Sequence, residues 1–349
     1  MEKTRIATPA PQSAHEARAA RGTGQKPGSA EDAAIAAGQG GGFALLLAAL
    51  GGGASEQAST QAGEQAGEQV GAGCSRGPAD DVELRRSREV EVRVLNPLGT
   101  VGHVRPNSLQ PPFDRAEARQ ALLALLDQAE FIAATTPDSS LGRECHSLFT
   151  CGTPLESDAG IAEWSRPDPE RARRLLAASG YRGEPIVLLD PADQPAIHAI
   201  ALVTADALRR IGANVQVETM DWSTLVTRRN SKGPTGPGLP GWNLAFTTWG
   251  GFTFASVLTN TPLVSSCDGR NLYGWPCDEE LERLRAAYFR ATTPDAGRAA
   301  ADALQRRYFQ VVPYVNTGIF QQASAWRRDL AGIRPTFYPV AWNVERRRR

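Results

Sequence analysis

From about residue 88 onward the sequence predicts a layered α/β domain, and three observations carry that reading. Short runs rich in Val, Ile and Leu, at Val90–Val94, Pro185–Asp190, Val215–Val217 and Asn243–Trp249, alternate with segments whose apolar residues recur at helical spacing. Helix punctuation brackets those segments: Asp168 and Pro169 open one and Gly180 stops it, Pro195 and Gly212 flank the next, and Asp221 opens a third. No apolar run reaches the ~20 residues of a membrane span; the nearest is Phe43–Leu50. Strands and helices alternating at this length belong to a sheet covered by helices.

Residues 1–84 stand apart. They are rich in Ala, Gly, Gln, Ser and Glu, carry GQGGG at 38–42 and the near-repeat EQASTQAGEQAGEQ at 56–69, and have Phe43 as their sole aromatic. Such composition buries too little apolar area to offset chain entropy, so disorder is expected. In EVEVRVLN the residues Val90, Val92 and Val94 alternate with charges, as in a strand. Residues 113–131 place Ala118, Ala121, Leu122, Leu125, Leu126 and Ala129 on one helical face; Pro111-Pro112 blocks an earlier start and Asp114 is the expected cap.

A loop at 141–160 leads to the helix opened by Asp168. The strand Pro185–Asp190 precedes a helix over 195–211 with Ile197, Ala201, Ala205 and Leu208 inward. Val215 and Val217 begin the next strand, and the two strands form a right-handed crossover if they lie parallel in one sheet. After the helix begun by Asp221 come a Gly/Pro loop at 231–241, the strand 243–249, amphipathic helices at 278–291 and 294–309, and a buried run at 311–320.

Several functions are argued against. Lys+Arg and Asp+Glu both total 38, a balance unlike the clustered basic excess of nucleic-acid binders, and the short terminal ERRRR reads as solvated. The four histidines, His15, His103, His146 and His198, show no HxxxH or HExxH spacing, and GxSxG and P-loop motifs are absent. No enzyme, metal or cofactor is expected, and His198 reads as structural. Cys145/Cys151 and Cys267/Cys277 are two close pairs beside a leftover Cys74. Without CxxC or histidine-rich surroundings they read as disulfides of an oxidising compartment. Metal binding at Cys267/Cys277, and unpaired or reactive thiols at Cys145/Cys151, are the alternatives. No export signal is visible at the N-terminus.

Seven stretches in order carry a resemblance: RPNSLQPPFDRAEARQALLALLDQAEF, FTCGTPLESDAG, PDPERARRLLAASGY, IGANVQVETMDWSTL, WNLAFTTWGG, SCDGRNLYGWPCDEELERL and VVPYVNTGIFQQASAWRRDLAGI. Over about 88–345 the chain resembles the C-terminal portion of the peptide/dipeptide/oligopeptide-binding (family 5) solute-binding proteins of ABC importers. The resemblance implies the second lobe of a type II periplasmic-binding-protein fold with an incomplete first lobe. Residues 85–110 would be an interlobe strand and hinge, 111–313 the solute-binding lobe, and 314–349 a segment returning to the first lobe. It implies a periplasmic monomer with a peptide or small-molecule ligand and permease subunits in the membrane as partners. A truncated, non-transporting fragment is the alternative.

The same resemblance places Trp249, Gly250, Gly251 and Phe252 on the ligand cleft, Asn107 near it, and a disulfide at Cys267/Cys277. Glycine would let backbone approach a ligand, and an indole offers a flat wall with one donor. The following stretch, Phe252–Asn260, has no acid. That departs from dipeptide binders, in which an aspartate there pairs with the ligand's ammonium. A modified peptide, an opine-like compound or a sugar is then a possible solute. Lacking a first lobe, Ile319, Phe320, Trp326, Phe337, Tyr338 and Trp342 are expected to want partners.

Overall fold

A computed structural model describes residues 86–136, 138–236, 238–337 and 342–347. The disorder expected of residues 1–84 lies outside them. The centre is a six-stranded sheet in the order β3-β7-β2-β6-β4-β5. Its strands are β2 (Thr100–Pro106), β3 (Gly142–Arg143), β4 (Ile186–Pro191), β5 (Val215–Met220), β6 (Leu244–Gly250) and β7 (Val315–Phe320). β4 runs parallel to β5 and β6, joined to β5 by helix α4 (Pro195–Arg210), as the crossover pattern predicts. β2 is antiparallel to both β6 and β7.

Alternation along the strands builds two apolar layers. Val104, Ile186, Leu188, Leu244 and Phe246 face α4 and helices α1 (Ala116–Leu125), α2 (Gln128–Thr135) and α3 (Pro169–Ala178). On the other face, Val101 and Ile319 meet Phe254, Leu281 and Leu304 under α6 (Glu279–Arg290) and α7 (Pro294–Val311). Beside them, Leu189 and Ala245 meet Trp242 and Leu225 of α5 (Trp222–Arg228). Three helices start where expected: Asp168, Asp221 and Asp278 accept from backbone N–H groups of the first turns of α3, α5 and α6.

The expectations for the first helix change. The single helix over 113–131 is two. Leu126 turns extended, and Asp127 caps a new helix by accepting from the Ala129 N–H at 2.9 Å. The break rotates the face, so Ala129 is exposed. Asp114 caps nothing: Arg115 holds the N-cap position of α1 with no side-chain bond.

Residues 100–106, expected as part of a hinge, are a buried strand at the middle of the sheet. Residues 315–320, expected to leave for a first lobe, pair with that strand. With β2 as their partner, Ile319 and Phe320 are buried. Trp326, in β8 (Ala323–Arg327), is buried where β8 pairs with β1 (Val90–Val94), beneath the Arg93 guanidinium. Phe337 and Trp342 remain exposed, and Tyr338 lies outside the described residues. A two-stranded β9 (Leu330–Ala331) with β10 (Glu345–Arg346) completes the tail.

Candidate functional site

The site follows from the order of the strands. Chain leaving β4 crosses to β5 on one side, and the next strand, β6, lies on the other. Such a reversal opens a crevice beyond the carboxyl ends of the two strands, where open α/β sheets bind ligands. Trp249 and Gly250 end β6 there, and Asp190 and Pro191 end β4.

Trp249 stands opposite Val101 of β2 and packs edge-on against the His103 ring, with centroids 6.4 Å apart. Its Nε1 is buried and donates to no group of the protein among the described residues. Gly250 is open: a Cβ built on it would meet nothing within 4 Å. Gly251 is glycine for packing instead, since its Cβ would lie 2.2 Å from the Leu98 carbonyl oxygen and its N–H donates to Gly99 O at 2.8 Å. Phe252, 38% exposed, packs against Phe337 with the rings tilted and centroids 5.1 Å apart. Asn107 is a correction. It is fully buried, its Nδ2 donates to Trp242 O at 3.0 Å and its Oδ1 accepts from Leu109 N, so it offers a ligand no surface and braces the loop after β2.

Both cysteine pairs are disulfides, Cys145–Cys151 and Cys267–Cys277, with Cα atoms 5.7 and 4.6 Å apart. The first holds the site from behind. Thr150, inside its loop, donates from its hydroxyl to Gly251 O at 2.5 Å and from its N–H to Phe254 O at 3.0 Å, pinning the turn that follows Trp249. The cavity between this loop and the sheet, lined by Val101, Ser147, Thr150 and Asn316, is about 10 Å³, room for one water.

Behind Trp249 the β2 side chains form a buried polar row that sequence reasoning missed. Arg105 donates to the carbonyls of Tyr273, Pro262 and Pro313 at 2.8, 2.7 and 3.2 Å. Burial pulls its pKa down to about 10, partly offset by Tyr273 and Tyr314. His103 lies between Trp249, Phe254 and Tyr314. Burial first and the Arg105 charge second hold its pKa well below the usual histidine value. Tyr314 and Asn260 exchange hydrogen bonds, and burial raises the Tyr314 phenol. This row is scaffold for the wall.

On the opposite face, Asp190 is 1% exposed and accepts from His198 Nδ1 at 2.6 Å and from the Thr219 hydroxyl at 3.0 Å. The sequence reads His198 as a structural helix residue; its contact with Asp190 forms only once α4 folds back over β4.

A helix-covered sheet with this strand order is the fold of a lobe of type II periplasmic binding proteins. The fold is similar to AgaA of A. tumefaciens R10, solved with agropinic acid (TM-score 0.63, 18% identity, 78% of this chain, 55% of that one). It is equally similar to a dipeptide-binding protein of Pseudoalteromonas sp. SM9913, solved with Met-Leu (TM-score 0.63, 18% identity, 78% and 53%). Residues 54–261 match the bacterial extracellular solute-binding proteins, family 5, middle region, and the chain belongs to that family of binding proteins.

A curated relative, a probable peptide ABC transporter periplasmic-binding protein of Sinorhizobium fredii, is 33% identical over 274 residues, covering 78% of this chain and 51% of that protein. The chain thus spans about half the length of the curated relative it matches. The family match begins at residue 54, inside the segment set apart by composition.

Proposed function

We propose that this chain is the solute-gripping lobe of an extracytoplasmic binding protein serving an ABC importer, taking a peptide or another small polar solute and passing it to a permease. The observation that carries this is the wall at the switch point: the half-buried Trp249 beside the open backbone of Gly250. Family membership and a relative named for peptides support the class of solute. Binding is closure of two walls on the solute, with this lobe supplying one. Among the described residues no helix is long and apolar enough to cross a membrane.

The test is calorimetry with a peptide and small-solute library. The W249A variant, which removes both flat surface and donor, is expected to bind roughly tenfold more weakly or worse. Unchanged affinity in W249A would remove this wall from the site.

A further inference from the structure

The stretch that follows Trp249, Phe252–Asn260, carries no acidic residue, so a cationic group on a solute finds no counter-charge there. The end of β4 offers one. Asp190 follows Leu189 and, by strand alternation, shares the α4 face with Leu188. Its carboxylate is buried, and among the described residues its ion-pair partner is His198, with no arginine or lysine beside it. His198 lies in the first turn of α4, three residues after Pro195, with its side chain 36% exposed.

A carboxylate oxygen only accepts, so the ring proton of the pair sits on Nδ1. In the neutral ring Nε2 is then a lone-pair acceptor, and no protein group among the described residues donates to it. The pair therefore presents an acceptor beyond the carboxyl end of β4, on the α4 face of the sheet, with a carboxylate charge behind it. The α4 N-terminus opposes a cation with roughly half a charge, less than the full charge of Asp190. Asp193 and Asp221, at the ends of β4 and β5, add to the same sign.

We infer that His198, held by Asp190, is the contact for a protonated primary amine on the solute: Nε2 accepts an ammonium N–H, and Asp190 compensates the charge through the ring. Asp190 is the positioning residue and His198 the contact. The inference rests on the solute-binding reading above.

The experiment is a nitrogen-detected NMR titration of the full 349-residue chain, with labelled histidine and tryptophan, using Gly-Leu and N-acetyl-Gly-Leu to millimolar concentration. H198Q assigns the His198 signals and W249A the Trp249 indole. Gly-Leu is expected to shift the His198 Nε2 resonance and the acetylated peptide to leave it in place, with roughly tenfold weaker binding of the acetylated form. In D190N/H198Q, which removes the buried carboxylate together with its partner, that preference for the free amine is expected to vanish.

If the Trp249 indole responds equally to both peptides while His198 stays silent, the inference falls and the solute-binding reading stands. If the double variant keeps the preference, the inference also falls. If neither Trp249 nor His198 responds to either peptide, both fall together.

Discussion

Arg105 is 1% exposed and, among the described residues, makes no ion pair; three backbone carbonyls take its protons instead. Those carbonyls come from three separate stretches of chain, so R105L strands three buried acceptors at once. The expected loss is about 2–4 kcal/mol, read from urea unfolding; a loss within about 0.5 kcal/mol, typical of a surface site, would show the loops hold themselves.

His103 makes a pH prediction. Its folded pKa lies well below the ordinary 6.5, so as pH falls through that value the unfolded chain takes up a proton that the folded chain refuses. Stability from this residue is therefore complete above pH 6.5 and declines below it. Urea midpoints should fall between pH 6.5 and about pH 5 in the parent and fall less steeply in H103L. Equal slopes would assign the acid sensitivity to other groups.

At the scale of elements, short-range chemistry sets the boundaries. Asp127 ends one helix by beginning another, because its carboxylate accepts a free N–H of the new first turn. The Cys267–Cys277 bond closes a loop of ten residues in sequence separation and delivers the chain to Asp278, which caps α6 and pairs with Arg307 of α7. Chain entropy gives the disulfide roughly 2.5–3 kcal/mol. The C267A/C277A variant should lose about that much in urea unfolding, with α7 exchanging amide protons faster because its anchor at Asp278 loosens.

For the whole molecule, the proposed function makes the lobe described here one wall of two. A solute site buries most of its ligand only between two surfaces, and this lobe leaves Phe252, Phe337 and Trp342 exposed. Fusing a first lobe from a close relative ahead of residue 86 is expected to raise affinity for a bound peptide at least tenfold. It should also shield Phe252 and Phe337 from solvent, seen as slower exchange around them. Micromolar binding by the 349-residue chain alone, unimproved by fusion, would show that a single wall suffices.

The sequence by itself determined the parts whose physics is local. The caps at Asp168 and Asp221 and the strands β4, β5 and β6 depend on residues a few positions apart, and they stand where period and punctuation put them. Trp249 at the end of β6 was legible for the same reason. Only the tertiary structure decided that Thr100–Pro106 is the middle of the sheet. Its His103 and Arg105 are buried because β6 and β7, more than a hundred residues later, close over them. It likewise decided that Ile319 and Phe320 have partners, that Asn107 is buried bracing, and that His198 meets Asp190. Each of these rests on pairing across long sequence separation, where register and burial are set by the partner strand or helix and leave no mark in the neighbouring residues.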